Sequence, residues 1–208
     1  MISDVSIVAR PGREPHIHCS GGLAARRTER DTVHLVSAAA TPLGGDTVSV
    51  RIVVEAGARL TLRTAAASMV LPSATTPESR AAWDVEVHGE LDVDPQPTIV
   101  AGGSHHTVST RLAIGGEARV RIRERAQIGR AFERHGFWSA ALHADVEDNP
   151  ILRHRVELGV GAVADDALGT PLACVSEFRY PEASFDTPGE LLQLAAGGCL
   201  ATWQGERL

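Results

Sequence analysis

The chain has 208 residues, 43% of them apolar and 22% charged, a composition that excludes a disordered tail and suits one domain over residues 1–208. Its net charge of −6, with a pI near 5.8, excludes the basic footprint of a nucleic-acid or anionic-membrane binder. All 20 basic residues are Arg, so no mechanism that needs a Schiff-base or phosphate-binding lysine is open to it. No stretch approaches the roughly 18 unbroken apolar residues of a membrane span. Cys19, Cys174 and Cys199 have no CxxC spacing, and no secretory leader is recognisable at the N-terminus, so a reducing, cytoplasmic setting is expected.

In chain order, residues 2–8 alternate as a strand and are followed by ARPGREPHIHCSGG, a loop by composition. His16, His18 and Cys19 sit close together there. With no second ligand pair at a fixed distance, they read as solvated loop rather than as a metal site. A second strand is expected over 32–36. Residues 43–67, LGGDTVSVRIVVEAGARLTLRTAAA, carry the clearest pattern. Val48, Val50, Ile52 and Val54 share one face of the first run and Leu60 and Leu62 one face of the second, with a hairpin turn expected at Glu55-Ala56-Gly57. The entrance, Gly44-Gly45-Asp46, is first of all a turn. A short carboxylate on such a turn is also placed to meet a hard cation or a partner's Arg.

The same grammar recurs in VEVHGELDV around Gly89 and RLAIGGEARVRI around Gly116. Near-regular repeats of this kind predict an all-β, elongated, layered fold: a solenoid-like (β-helix-like) stack of antiparallel hairpins with little helix. A two-sheet sandwich is the competing architecture. Residues 71–80 and 94–106 are surface loops by composition. Arg119, Arg121 and Arg123 alternate with Val120 and Ile122, and carboxylates of neighbouring strands are expected to match them in preference to a dedicated anion site. WSAALHADV, EDNP and ILRHRVEL form one more hairpin, which puts Leu152, His154, Val156 and Leu158 on one face and gives His154 a buried, hydrogen-bonded structural role. VGAVADDALGTP is a loop, and LACVSEFRY and CLATWQGERL are strands, with Trp203 as a core plug. Residues 191–196 are a helical turn or a strand.

Local signatures of catalysis are missing: no Gly-x-Ser-x-Gly elbow, phosphate loop, dinucleotide fingerprint or His-Glu-x-x-His pair. What remains is nine histidines, His105 and His106 adjacent among them, with carboxylates such as Asp46 and Glu124. Neighbouring residues of a strand point to opposite faces, so His105 and His106 would not chelate one ion together unless the chain turned between them. Imidazole and carboxylate suit divalent nickel or zinc, and a weak, transient site is what a carrier needs.

The Gly-Gly-Asp turn, alternating strand, Gly-Ala-Arg-Leu turn and Thr-rich continuation of 43–67 resemble the urease accessory proteins of the D/H type. Further matches follow in order: Pro95-Gln96-Pro97, Thr110-Arg111-Leu112 with Gly116, then Glu124 with Gly129-Arg130 and Phe137. Departures are Ser68-Met69-Val70-Leu71 in place of a Lys-Val-Tyr-Arg-like tail, Val93-Asp94 in place of Trp-Leu, and Arg134-His135-Gly136 in place of Gly-Glu-Arg. The resemblance implies a non-enzymatic maturation factor with no tightly bound cofactor. It would bind apo-urease with the F-type accessory protein and the G-type GTPase, and pass transient Ni(II) along a water-filled tunnel. Asp46, Thr64 and Glu124 are the matching positions expected to line that path, with His105 and His106 as further candidates; Arg130 fixes local structure or meets a partner. Two other readings stand beside this one: a metal-dependent β-fold hydrolase or oxygenase using His and carboxylate ligands, and a binding module without metal.

Overall fold

The computed structural model describes residues 1–165 and 169–208. Residues 166–168, part of the loop expected in VGAVADDALGTP, lie outside the described residues. Two sheets face each other, and period-two apolar patterning turns one side of each toward a shared interior. At the N-terminal end, β1 (Ile2–Ala9) pairs antiparallel with β2 (His16–Ser20) in the first sheet, and β3 (Leu23–Arg27) with β4 (Thr32–Ser37) in the second. From there the chain winds between the sheets. It passes from β5 (Thr47–Val54) across to β6 (Arg59–Thr64) and the short β7 (Ser68–Val70), then back to β8 (Glu78–Val87). The next coil runs through β9 (Glu90–Val93) and β10 (Thr98–Val100) to β11 (His105–Ile114), and a third crossing gives β12 (Arg119–Ile128). The hairpin β13 (Phe137–Val146) and β14 (Asn149–Gly159) closes the first sheet, while β15 (Ala173–Tyr180), β16 (Glu190–Gln193) and β17 (Cys199–Gly205) close the second with antiparallel pairs.

The strand orders are β14-β13-β11-β8-β5-β1-β2 and β16-β17-β15-β12-β9-β6-β4-β3. This is an all-β solenoid of stacked coils, as expected. Among the described residues there is no helix, and therefore none long and apolar enough to cross a membrane.

The pairing within the stack corrects the expected antiparallel hairpins. Around Gly57, Gly89 and Gly116 the two runs do not pair with each other. β5, β8 and β11 pair in parallel in one sheet, and β6, β9 and β12 in parallel in the other. Each turn is an arch that sets two apolar faces opposite one another across the core. A run, a Gly turn and a second run look alike in sequence whether the runs lie side by side or face to face. The arches rest directly on each other: a Cβ on Gly89 would lie 2.2 Å from Ala58 O and 2.6 Å from Glu55 O. Val54, Val87, Leu60, Leu91 and Val120 fill the interior beside the arches.

Smaller expectations also change. Residues 71–80 include the start of β8, and 94–106 include β10 and the start of β11, so neither is loop throughout. Trp203 is half-buried, whereas Trp138 and Phe178 are the large buried aromatics. Residues 190–193 form a strand. Two of the three arginines are matched by carboxylates as expected: Arg121 pairs with Glu177 at 2.8 Å, Asp92 at 3.0 Å and Asp94 at 3.1 Å, and Arg123 with Glu177 at 3.5 Å, whereas Arg119 joins no ion pair among the described residues; Arg125 extends the set, pairing with Asp94 at 2.7 Å.

Candidate functional site: a polar rung in the interior

Between the sheets the core does not close, leaving a cavity of about 340 Å³. Register explains where it becomes polar. On the inner face of the second sheet, Leu62, Val93, Ile122, Phe178 and Leu200 align from β6 to β17 as an apolar rung. Two residues further along, the same faces present Thr64 on β6, Glu124 on β12 and Ser176 on β15, while β9 has already ended at Val93. Across the first sheet the register aligns Trp83, Thr110, Leu142 and His154. All of these except Leu62 line the cavity. Neighbouring strands stand about 4.8 Å apart, so the polar groups run along the solenoid axis. Ala65, Ala66 and Ala67 line the cavity and are exposed, so it reaches the surface beside them.

The Glu124 carboxylate accepts no hydrogen bond and joins no ion pair among the described residues. Burial without a counter-charge pushes it up to about 7. The neighbouring Cys174 thiol is also raised, by burial first and then by the Glu124 charge. His154 is held below its ordinary value by burial, and its Nε2 is buried without a partner, as is Ser176 Oγ. The expected hydrogen bond of a structural His154 is therefore missing at Nε2. His106 is 3% exposed, has Nδ1 2.8 Å from Ser79 Oγ and is lowered by burial to about 4, so its imidazole is neutral at pH 7. Thr64 Oγ1 accepts from Gln96 N–H at 2.8 Å. One carboxylate, neutral imidazoles and hydroxyls can hold a divalent cation weakly.

Of the residues singled out in the sequence, Thr64, His106 and Glu124 come together on this cavity. Asp46 sits apart, within its own turn. Its Oδ1 accepts from the Met1 amino group at 2.6 Å, and its Oδ2 from Thr41 Oγ1 and Leu43 N–H, each at 2.9 Å. Burial works to raise this carboxyl, but those donors together hold it below its ordinary value. His105 points outward, edge-on to Phe137 with ring centroids 6.0 Å apart. Arg130 pairs with Glu133. Thr110, His154 and Ser176 were not foreseen as cavity groups. Polar residues at inward positions of an otherwise apolar period-two pattern are the signal that could have found them. A metal-dependent hydrolase needs three protein ligands round one ion. Among the described residues no group of three His, Cys, Asp or Glu is arranged to hold one.

Known proteins extend the picture. The profile of a family described as UreD urease accessory protein matches residues 16–176. A protein of Saccharopolyspora erythraea named urease accessory protein UreD 1 is 36% identical over 190 residues, covering 87% of this chain and 74% of the relative. Urease accessory protein UreD of Frankia alni is 44% identical over 117 residues, 55% of this chain and 39% of the relative. That of Frankia casuarinae is 37% identical over 174 residues, 76% of this chain and 54% of the relative. The chain thus spans about three quarters of the first relative's length, and about two fifths and half of the others'.

Proposed function

Because the chain belongs to the UreD urease accessory protein family, we propose that it is a non-enzymatic urease maturation factor. In this reading it works in the cytoplasm, binds apo-urease together with the F-type accessory protein and the G-type GTPase, and assists nickel delivery by giving the ion a path through its interior. The observation that carries the reading is the cavity with the unpaired Glu124 carboxylate inside it. Glu124 is partly buried, and a partly desolvated carboxylate without a partner costs folding energy, so a scaffold that only has to fold gains nothing from it. Nickel is cargo here and must leave again. Scattered oxygen and nitrogen donors suit a path, whereas a closed high-affinity centre would trap the ion. Thr64, Glu124, His106 and His154 are the groups that would meet the ion. Asp46 would support the path indirectly, by holding the turn between β4 and β5, and His105 faces away from it.

Blocking the path tests this. Ala66 is exposed and lines the cavity, so Ala66→Trp adds bulk at its mouth where the fold is least affected. In cells that co-express urease and the other accessory proteins, the variant should still pull down apo-urease, while urease activity at limiting nickel falls about tenfold. Unchanged activity would remove the interior route. Failure of the unmodified chain to capture apo-urease or the F-type protein would remove the maturation role altogether.

A further inference from the structure

Residues 16–20, expected as part of a loop, form the edge strand β2, and that changes what the His-Ile-His spacing means. In a loop, two histidines two residues apart have no fixed relation. In an extended strand they stand on one face, about 6.7 Å apart along the chain. β2 alternates accordingly, with His16, His18 and Ser20 exposed and Ile17 and Cys19 half-buried. Five ladder pairs, from Asp4–Ser20 to Val8–His16, hold it against β1. The sheet therefore fixes the spacing of the two side chains before any ligand arrives.

Both imidazoles are free. Among the described residues neither makes a hydrogen bond or an ion pair, whereas His34 meets Thr28, His88 meets Glu86 and His106 meets Ser79. Val8 and Ser6 face the two rings across the ladder, short side chains that leave both exposed. β2 ends its sheet, so no strand among the described residues lies on its far side. Of the nine histidines, only these two lie two residues apart on one strand. The neighbouring thiol is turned away: Cys19 belongs to the other face, and its Sγ accepts from Ala25 N–H at 3.2 Å.

We propose that His16 and His18 together bind one divalent transition-metal ion at the surface, at a site separate from the interior cavity, which neither residue lines. Rings tilted toward each other can each bring a nitrogen to about 2.1 Å from one ion. The donor type selects the occupant. Imidazole suits nickel, zinc and copper(II), whereas Mg(II) and Ca(II) need oxygen ligands, and a soft ion such as Cu(I) needs the sulfur that Cys19 directs elsewhere. No group of three His, Cys, Asp or Glu is placed to hold an ion among the described residues. Water therefore keeps the remaining positions, and the ion exchanges readily. Any charged side chain would protect an edge strand from unwanted pairing; two imidazoles at this spacing add chelation. The role of the site rests on the maturation reading: there the ion is nickel, collected at the surface before it enters the interior.

The test uses the full chain, with Ni(II) as the probe and Mg(II) at the same concentration as the control. Ni(II) held by imidazole and water is paramagnetic, so it should broaden the backbone amide signals of residues 16–20, and Mg(II) should not. His16→Ala and His18→Ala should each raise the Ni(II) concentration needed for that broadening about tenfold or more. Because both side chains are exposed, melting temperatures should not change. Equilibrium dialysis should show the double variant binding one Ni(II) fewer than the unmodified chain. In cells that co-express urease and the other accessory proteins, the double variant should lower urease activity about twofold at limiting nickel and restore it in excess nickel. No broadening at β2, or equal broadening in the double variant, overturns the site and leaves the maturation reading standing. Loss of Ni(II) binding with unchanged activity at limiting nickel overturns the collecting role. Failure of the unmodified chain to capture apo-urease or the F-type protein overturns the maturation reading, whatever β2 binds.

Discussion

Asp46 has both carboxylate oxygens engaged inside the turn it belongs to, with donors from Met1, Thr41 and Leu43. Removing a buried acceptor costs more than the bond it made, because the donors left behind are desolvated and unpaired. Asp46→Ala should therefore lower stability by about 2–3 kcal/mol, read as a lower urea midpoint with unchanged slope. Asp46→Asn, which keeps one acceptor oxygen, should recover part of that loss. If Asp46→Ala lowered urease activation with stability and abundance unchanged, the carboxylate would have a role beyond its turn. Glu124 is the opposite case, an acid of similar chemistry with no partner at all, and the difference is one of place. Asp46 sits where backbone and hydroxyl donors converge, whereas Glu124 projects from the middle of a strand into the gap left where β9 ends.

At the scale of elements, the fold depends on how closely one arch sits on the next. The backbone of the Gly89 arch touches the carbonyls of Ala58 and Glu55, and Glu90 N–H continues the ladder to Ala58 O at 2.9 Å. Gly89→Ala should push the two coils apart and cost about 2–3 kcal/mol, a loss visible in thermal melts of the purified chain. The alternating runs, their inward faces and the turns between them were legible in the sequence because period two and glycine turns are local properties. The pairing partner was not. Whether Val50 lies beside Leu60 or beside Trp83 is decided by the return of the chain some thirty residues later, and it is Trp83 that pairs with it. The same limit applied to the site. Glu124 was recognisable as a matching position, and its inward direction follows from Val120 and Ile122. His154 and Ser176 became cavity groups only when β14 paired with β13 in one sheet and β15 with β12 in the other, on opposite sides of the interior.

For the molecule as a whole, the interior sets how stability responds to pH. Glu124 is raised from 4.5 to about 7 by burial, so the folded state binds its proton more tightly than the unfolded chain does. Its contribution is complete below about 4.5 and is lost as pH rises through about 7. His106 is lowered from 6.5 to about 4 by burial, so its contribution is present above about 6.5 and is lost as pH falls through about 4. His154, also lowered, acts in the direction of His106. Between about 4.5 and 6.5 the slopes of Glu124 and His106 oppose and largely cancel, which leaves the folded state with a flat optimum in mildly acidic solution. Glu124→Gln removes only the falling slope. At about 1.4 kcal/mol for each unit between folded and unfolded values, urea titrations at pH 5 and pH 8 should show the variant gaining about 2 kcal/mol over that interval. The unmodified chain should stay level or lose slightly. Parallel pH dependence in the two proteins would mean that Glu124 is paired or solvated in solution and is not the uncompensated charge described here. The same substitution should lower urease activation at limiting nickel. A variant that is more stable at pH 8 and less able to mature urease would link the cost of the unpaired carboxylate directly to the passage of the ion.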